Sequence, residues 1–341
     1  MTGWTASCPA KVNLFLRILA REDTGYHQIE TLFQAVGLYD RVDVLSGADG
    51  ISLEVRREES APDTADLFGT GPVAPDAIGD LGDPEENTVM KAARAFFAAA
   101  GITPAVSLVL TKSIPAGTGL GGASSDAAGT LTALNALHGT PLSARDLIGL
   151  GGRIGADIPF FCSGAANALA WGRGDRLLRC PAPPSRPVVL AIPRERISTA
   201  TAYRETSAGL QLPAPPSLLA RPSLLAGAGS EAWRPLAALQ WNDFERAVFE
   251  RVSGLAGVRA ALAGAGASIA RLTGSGSAVF GVFGDADSAR AGAATVREME
   301  GVAAALVVPT LTEVPALEPV DQSNRRRRPS LNPPPGSRYD T

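Results

Sequence analysis

Residues 114–135 read IPAGTGLGGASSDAAGTLTALN, with five glycines (Gly117, Gly119, Gly121, Gly122 and Gly129) set among small and hydroxylated side chains. So little side-chain bulk lets backbone N–H groups come close to a ligand. The flanking segments give that approach a direction. AVSLVL at 105–110 alternates Val106, Leu108 and Leu110 as a strand does, and Ser124 to Leu137 has a helical apolar pattern ending before Gly139. A strand feeding a glycine loop at a helix start suits an anion, because about four N–H groups of a first helical turn lack partners and the helix dipole is positive there. Ser124 and Ser125 add hydroxyl donors. The chemistry expected is phosphate binding; a ligand-free glycine turn is the plainer alternative.

The spacing Gly117-Thr118-Gly119-Leu120-Gly121-Gly122 satisfies the G-x-G-x-x-G pattern of dinucleotide sites. That reading also wants an acidic residue at the end of the next strand, about 20 residues on. The sequence there is HGTPLSARDL, a turn opening another helix with Ser143 and Asp146 in capping-box positions. A Walker A loop is excluded, since no Gly-Lys pair occurs anywhere.

Lys11, Lys91 and Lys112 are the only lysines among 31 Lys and Arg residues. In an arginine-biased chain a surviving lysine points to a place that needs a compact ammonium rather than a planar guanidinium. Lys112 precedes the glycine loop. The two histidines are His27 and His138, the latter reading as a helix C-terminal residue before Gly139. A net charge of −3 argues against a general nucleic-acid binder, and three scattered cysteines, Cys8, Cys162 and Cys180, make neither a zinc pattern nor a full set of disulfides. No apolar run reaches the roughly 18 residues of a membrane span, and Lys11 and Asn13 interrupt any signal-peptide reading. A cytoplasmic protein is expected.

The elements that must position these residues can be sketched. RVDVLSGADGISLEV alternates Val42 and Val44, then Ile51, Leu53 and Val55, around a Gly-Ala-Asp-Gly break, which predicts a hairpin. Residues 56–84 read as an exposed insertion. NTVMKAARAFFAAAG predicts a helix capped by Asn87 and closed by Gly101. A second α/β unit follows the proline-rich CPAPPSRP: strand PVVLAI, strand SAVFGVFG, a helix over 287–300 and strand VAAALVVP.

PAKVNLFLRI, PAGTGLGGASSDAA and LTGSGSAVFGVF, in that order, resemble the three motifs of the galactokinase, homoserine, mevalonate and phosphomevalonate (GHMP) kinase superfamily. Within it AKVNLFLRILAREDTGYHQIETLFQAV, GDPEENTV and GADIPFF resemble the 4-diphosphocytidyl-2-C-methyl-D-erythritol kinase family over roughly residues 7–315. The resemblance implies an α+β fold of two domains. Residues 1–182 would form an N-terminal unit like ribosomal protein S5 domain 2 and 183–315 a ferredoxin-like C-terminal unit, with 316–341 a disordered Arg/Pro-rich tail. The implied reaction is ATP-dependent phosphorylation of the 2-hydroxyl of 4-diphosphocytidyl-2-C-methyl-D-erythritol, giving the 2-phosphate and ADP, in non-mevalonate isoprenoid synthesis.

The resemblance also implies roles. Asp157 is the base and Lys11 its partner. Pro115, Gly117, Gly119, Leu120, Gly121, Gly122, Ser124 and Ser125 form the ATP loop, with Asn87 and Lys112 toward the adenine end. Tyr26 and Tyr203 are stacking faces for cytosine, His27 an edge hydrogen bonder, Asn13 and Thr199 polar contacts, and Gly274 and Gly276 neighbours of the substrate diphosphate. ATP would arrive with Mg2+, helped by Ser124 or Ser125; no metal ligand set is assigned. The partners implied are small molecules, with no nucleic acid or membrane, and a monomer or weak homodimer. Read singly, Asp157 could cap a turn before Pro159 and Lys11 could end a strand in solvent. Another GHMP-type kinase, a non-catalytic ATP-binding scaffold and, more distantly, a dehydrogenase are the alternatives.

Overall fold

The computed structural model describes residues 2–23, 25, 27–47, 49–57, 78–79, 83–207, 217–218 and 229–320. The chain opens with two long antiparallel strands, β1 (Gly3–Arg21) and β2 (His27–Ser46), and then β3 (Gly50–Arg57). Helix α1 (Thr88–Ala100) is held at its start by the Asn87 side chain, which accepts from the Val89 N–H, and is closed by Gly101 in the left-handed region. Strand β4 (Ala105–Lys112) delivers the chain to the glycine loop, and α2 (Gly122–Leu137) leaves it. Helix α3 (Ala144–Ile154) starts on the reciprocal Ser143–Asp146 capping box, and α4 (Ile158–Cys162) follows. Strands β5 (Asn167–Gly172) and β6 (Arg176–Arg179) complete this part.

The predicted hairpin does not form. Both of its strands exist, but β4 lies between them, antiparallel to β2 and parallel to β3. The Gly47 and Gly50 amides donate to the carbonyls of Ala105 and Pro104 at the start of β4 instead of closing a turn. Alternation fixes which face of a strand is buried and says nothing of its neighbour. The insertion is not wholly exposed either: Ile78 is buried in the core. Residues 58–77 and 80–82 lie outside the described residues.

The second unit has strand β7 (Pro187–Pro193), helices α5 (Thr199–Ser207) and α6 (Trp233–Leu239), the short β8 (Trp241–Asn242), and helices α7 (Glu245–Arg251) and α8 (Leu255–Gly264). It continues with β9 (Ile269–Leu272), β10 (Val279–Val282), α9 (Ala286–Arg297) and β11 (Val302–Pro309). Its four strands make an antiparallel sheet in the order β11-β7-β10-β9, the ferredoxin-like arrangement expected. Val188, Leu190, Phe280 and Val308 from this sheet share one buried cluster with Val12, Leu14, Leu32 and Val36 of the first, so apolar packing joins the two units.

Two strands cross back. β8 pairs parallel to β1 at Phe15 and Leu16, and β12 (Glu318–Pro319) pairs antiparallel to Trp4 and Thr5. The stretch from 316, read from the sequence as the start of a disordered tail, therefore has structure through residue 320; residues 321–341 lie outside the described residues. Gly129, counted above with the loop glycines, instead sits within α2. A Cβ there would lie 2.5 Å from Cys8 Sγ, so this glycine lets the helix seat on β1.

Candidate active site

The loop between β4 and α2 is wound by three glycines in the left-handed region, Gly117, Gly119 and Gly121, at φ of 66°, 79° and 77°. Thr118 Oγ1 donates to the Pro115 carbonyl at 2.7 Å and ties the turn to itself. Gly121 caps α2 and offers no side chain to its first turn, so the amides there are left to a ligand. A cleft of about 450 Å³ opens over this loop. Its walls include Asn87, Lys112, Pro115 to Ser124, Lys11, Asn13, Asp157, Thr199, Tyr203 and Gly274, so residues distant in sequence face one cavity.

Lys11 lies in the middle of β1 and is buried, not a solvated strand end. Its backbone N–H donates to the Leu120 carbonyl at 2.9 Å. A Cβ on Gly121 would come within 3.1 Å of Lys11 Cγ and Cε, so the lysine stem lies along the glycine loop. Its ammonium donates to Asn13 Oδ1 at 2.7 Å and stands 3.4 Å from Asp157 Oδ2. Asp157 precedes α4, and its carboxylate makes no capping hydrogen bond. At 29 % exposure it is open to the cleft. The capping role that the sequence also allowed is thus not the one it plays.

Asn13 links the first and third motifs. Its Oδ1 accepts from the Gly274 N–H at 2.8 Å, and its Nδ2 donates to Thr31 Oγ1 at 2.7 Å. The loop holding Gly274 is fixed from behind by Asn242, whose Nδ2 donates to the Leu272 and Gly274 carbonyls at 2.8 and 2.9 Å, and by Glu245, which accepts from the Leu272 N–H at 2.9 Å. Neither Asn242 nor Glu245 was read from the sequence. The WNDFE stretch carried only a dense polar run in an apolar setting as its signal.

Several expected residues take other positions. Ser125 is not on the cleft wall: its Oγ is buried and has no hydrogen-bond partner among the described residues. Successive residues on a helix point about 100° apart, so Ser124 faces the cleft and Ser125 the interior. Leu120 sends a fully buried side chain into the core, leaving its backbone to the loop. Gly276 turns toward Leu272 and Val248, away from the cleft. Lys112 is buried between two carboxylates, Asp40 and Asp126. Burial alone would lower its pKa, but Asp126 and Asp40 outweigh burial and hold it above its usual value. Burial and the Asp40 charge push the Asp126 carboxyl upward.

Tyr203 lines the cleft and stacks on His27, which does not, with ring centroids 4.5 Å apart, and Tyr203 meets Phe244 edge-on at 4.8 Å. His27 therefore covers one Tyr203 face in this structure. Burial, then the Asp157 charge, raises the Tyr203 phenol; burial, then Arg21, lowers His27. These two rings also border a second cavity of about 1110 Å³ lined by Arg21, Arg153, Arg173 and Arg204. Tyr26 lies outside the described residues. His138 ends α2 and packs on Phe96 and Phe97, as a structural residue would.

Among the described residues no helix is long and apolar enough to cross a membrane, and no group of three or more His, Cys, Asp and Glu is placed to hold a metal ion. Residues 87–165 match the model of the GHMP kinases N terminal domain and residues 220–300 that of the GHMP kinases C terminal domain. The chain is 37 % identical over 301 residues to a 4-diphosphocytidyl-2-C-methyl-D-erythritol kinase of Syntrophotalea carbinolica, covering 88 % of this chain and 97 % of that protein. The same kinase of Geobacter metallireducens is 33 % identical, with coverages of 87 % and 95 %. A crystal structure of 4-(cytidine 5'-diphospho)-2C-methyl-D-erythritol kinase superposes with a TM-score of 0.68 at 31 % identity, covering 89 % of this chain and 98 % of that one. A homoserine kinase from Cytophaga hutchinsonii, 18 % identical, shares the fold with a TM-score of 0.66 over 93 % of this chain and 97 % of its own. The chain belongs to the GHMP kinases, in the family of 4-diphosphocytidyl-2-C-methyl-D-erythritol kinases.

Proposed function

We propose that this enzyme transfers the γ-phosphoryl group of ATP to the 2-hydroxyl of 4-diphosphocytidyl-2-C-methyl-D-erythritol, releasing ADP and the 2-phosphate. The observation that carries the reading is the Lys11–Asp157 pair, 3.4 Å apart and packed along the glycine loop in one cleft. The loop amides and the uncapped first turn of α2 bind the ATP phosphates. Asp157 accepts the hydroxyl proton as the oxygen attacks phosphorus. Lys11 orients that carboxylate and offsets the charge of the moving group. Asn13 fixes the Lys11 ammonium and, through Gly274, the third motif against the acceptor.

Mg2+ accompanies ATP in this reading, and the donors fit that arrangement. Ser124 lines the cleft, Asp126 Oδ1 is buried without a hydrogen bond among the described residues, and no self-sufficient protein cage surrounds them. The ion would be held chiefly by phosphate oxygens, with these groups beside it. Tyr203 and His27 supply the aromatic surface for the cytosine, with His27 moving off the Tyr203 face to admit the base. The N-terminal unit ends near 182 and the second spans 183–315. One chain furnishes the entire described cleft.

The test is ADP release from Mg-ATP with the cytidyl compound, its uridyl analogue, mevalonate and galactose. Turnover is expected with the cytidyl compound alone, and Asp157→Asn should lower kcat by about 10²–10⁴ with little change in either KM. Turnover with a different acceptor would overturn the substrate assignment, and an Asp157→Asn enzyme of normal kcat would overturn the base.

A further inference from the structure

Behind the cleft, out of contact with either substrate as placed above, the side chain of Asp40 is fully buried. It follows Gly37–Leu38–Tyr39 within β2 and makes three attachments to the short stretch formed by the last residue of β4 and the two residues after it. Its Oδ1 accepts from the Ser113 N–H at 2.6 Å and the Ile114 N–H at 2.8 Å, and its Oδ2 accepts from the Lys112 ammonium. Lys112 in turn donates to Asp126 Oδ2 at 2.7 Å, in the first turns of α2. The same Oδ2 of Asp40 lies 3.1 Å from where a Cβ on Gly122 would stand. One carboxylate and the lysine it holds therefore bind both ends of the glycine loop, the strand that enters and the helix that leaves.

We infer that Asp40 is a positioning residue for ATP, fixing the loop amides in their phosphate-binding arrangement before the nucleotide arrives. The inference deepens the kinase reading and rests on it for the identity of the ligand. Residues 113 and 114 have left the β2–β4 pairing, which ends at Arg41 and Thr111. Without Asp40 their amides would be buried donors with no acceptor, which is unfavourable, and the loop would relax to meet other partners. A loop set in advance binds without losing freedom at the moment of binding. Lys112, whose charge is shared between two carboxylates, contributes to ATP binding through this tie more than through a direct contact.

The experiment measures nucleotide affinity separately from turnover, so that a wrong acceptor assignment leaves it intact. A non-hydrolysable ATP analogue is titrated calorimetrically into wild type and Asp40→Asn, and the ATP and acceptor KM values are measured alongside. Asparagine keeps an oxygen for the two amides and loses the charge that holds Lys112. The expected result is an analogue Kd and ATP KM raised at least about tenfold, an acceptor KM within about twofold of wild type, and an unchanged far-UV circular dichroism spectrum. A folded variant with wild-type Kd, or one whose two KM values rise together, would overturn the inference.

Should Asp40→Asn fail to fold, hydrogen exchange on the wild-type enzyme decides. Slow exchange at Ser113 and Ile114 in the nucleotide-free protein supports a pre-set loop. Exchange there at the unprotected rate, slowed only when the analogue is added, refutes it.

Discussion

Two alanine substitutions in the glycine loop separate backbone strain from contact with the second unit. Gly117 and Gly119 both lie in the left-handed region, at φ of 66° and 79°, where a side chain costs about 1–2 kcal/mol. Their surroundings differ. A Cβ at Gly117 meets only Arg196 Cδ at 3.8 Å, an ordinary contact. At Gly119 it would stand 2.1 Å from the Thr273 carbonyl oxygen, 3.0 Å from the Thr273 carbonyl carbon and 3.3 Å from the Gly276 nitrogen. All three are backbone atoms of the loop between β9 and β10, so no rotamer change relieves the clash. Relief requires a shift of roughly 1 Å between the second and third motifs, and forced repacking of this kind costs a further 1–3 kcal/mol or so. Gly117→Ala should therefore lose about 1–2 kcal/mol and Gly119→Ala about 2–5 kcal/mol. Urea unfolding followed by tryptophan fluorescence gives both values. ATP affinity should fall in both variants, but the acceptor KM should rise only in Gly119→Ala. Equal losses of stability, within about 0.5 kcal/mol, would refute the argument that Gly119 is glycine because the two motifs touch there.

Other outcomes follow from single features. Asn242→Ala strips the side-chain donor from the carbonyls of Leu272 and Gly274 and should raise the acceptor KM while leaving that for ATP nearly unchanged, as steady-state kinetics will show. Tyr203→Ala removes an aromatic surface; with stacking worth about 1–3 kcal/mol per base, the KM for the cytidyl acceptor should rise roughly 5- to 150-fold. His27 has its pKa lowered by burial and Arg21, so protonation is penalised in the folded state: stability should rise with pH on the acid side of the ordinary histidine value of about 6.5 and level off above it. His27→Asn should flatten that portion of a melting-temperature profile. Burial pushes the Cys162 thiol up to about 12, so only about one molecule in 10⁴ carries a thiolate at pH 8 and thiol reagents should label the native enzyme at Cys162 far more slowly than the urea-unfolded chain.

The parts of this molecule that were legible in its sequence depend on neighbours close along the chain. Asn87 and Gly101 bound α1, Ser143 and Asp146 start α3, and the strand, loop and helix around Gly117–Gly122 lie where local pattern puts them. The residues of the cleft were legible only through resemblance to a family, since nothing in the spacing of Lys11 and Asp157 announces that they meet. What was missed depends on contacts distant in sequence. The partner of β2 is set by β4, more than sixty residues on. Asp40 reads as one more aspartate in LYDRVDV until β4 returns and presents two amides and an ammonium to it. Ser125 was misread for a subtler reason: its type is right for a phosphate, but helix geometry turns it inward.

The paired segment at Glu318–Pro319 changes how the second unit can move. The chain leaves the first sheet after β6 and returns to it at β12, with Val320 donating its N–H to the Gly3 carbonyl and the Leu311 N–H reaching Ala35 on the way. The second unit is thus an insert held at both ends, and β8 adds a third attachment at Phe15 and Leu16. A unit on a single linker can swing through a wide cone. One tied along a line of attachments can only rock about that line, like a door on several hinges. The contacts between the glycine loop and the loop of Gly274, such as the Ala278 N–H on the Thr118 carbonyl, are then constrained by the same line of attachments.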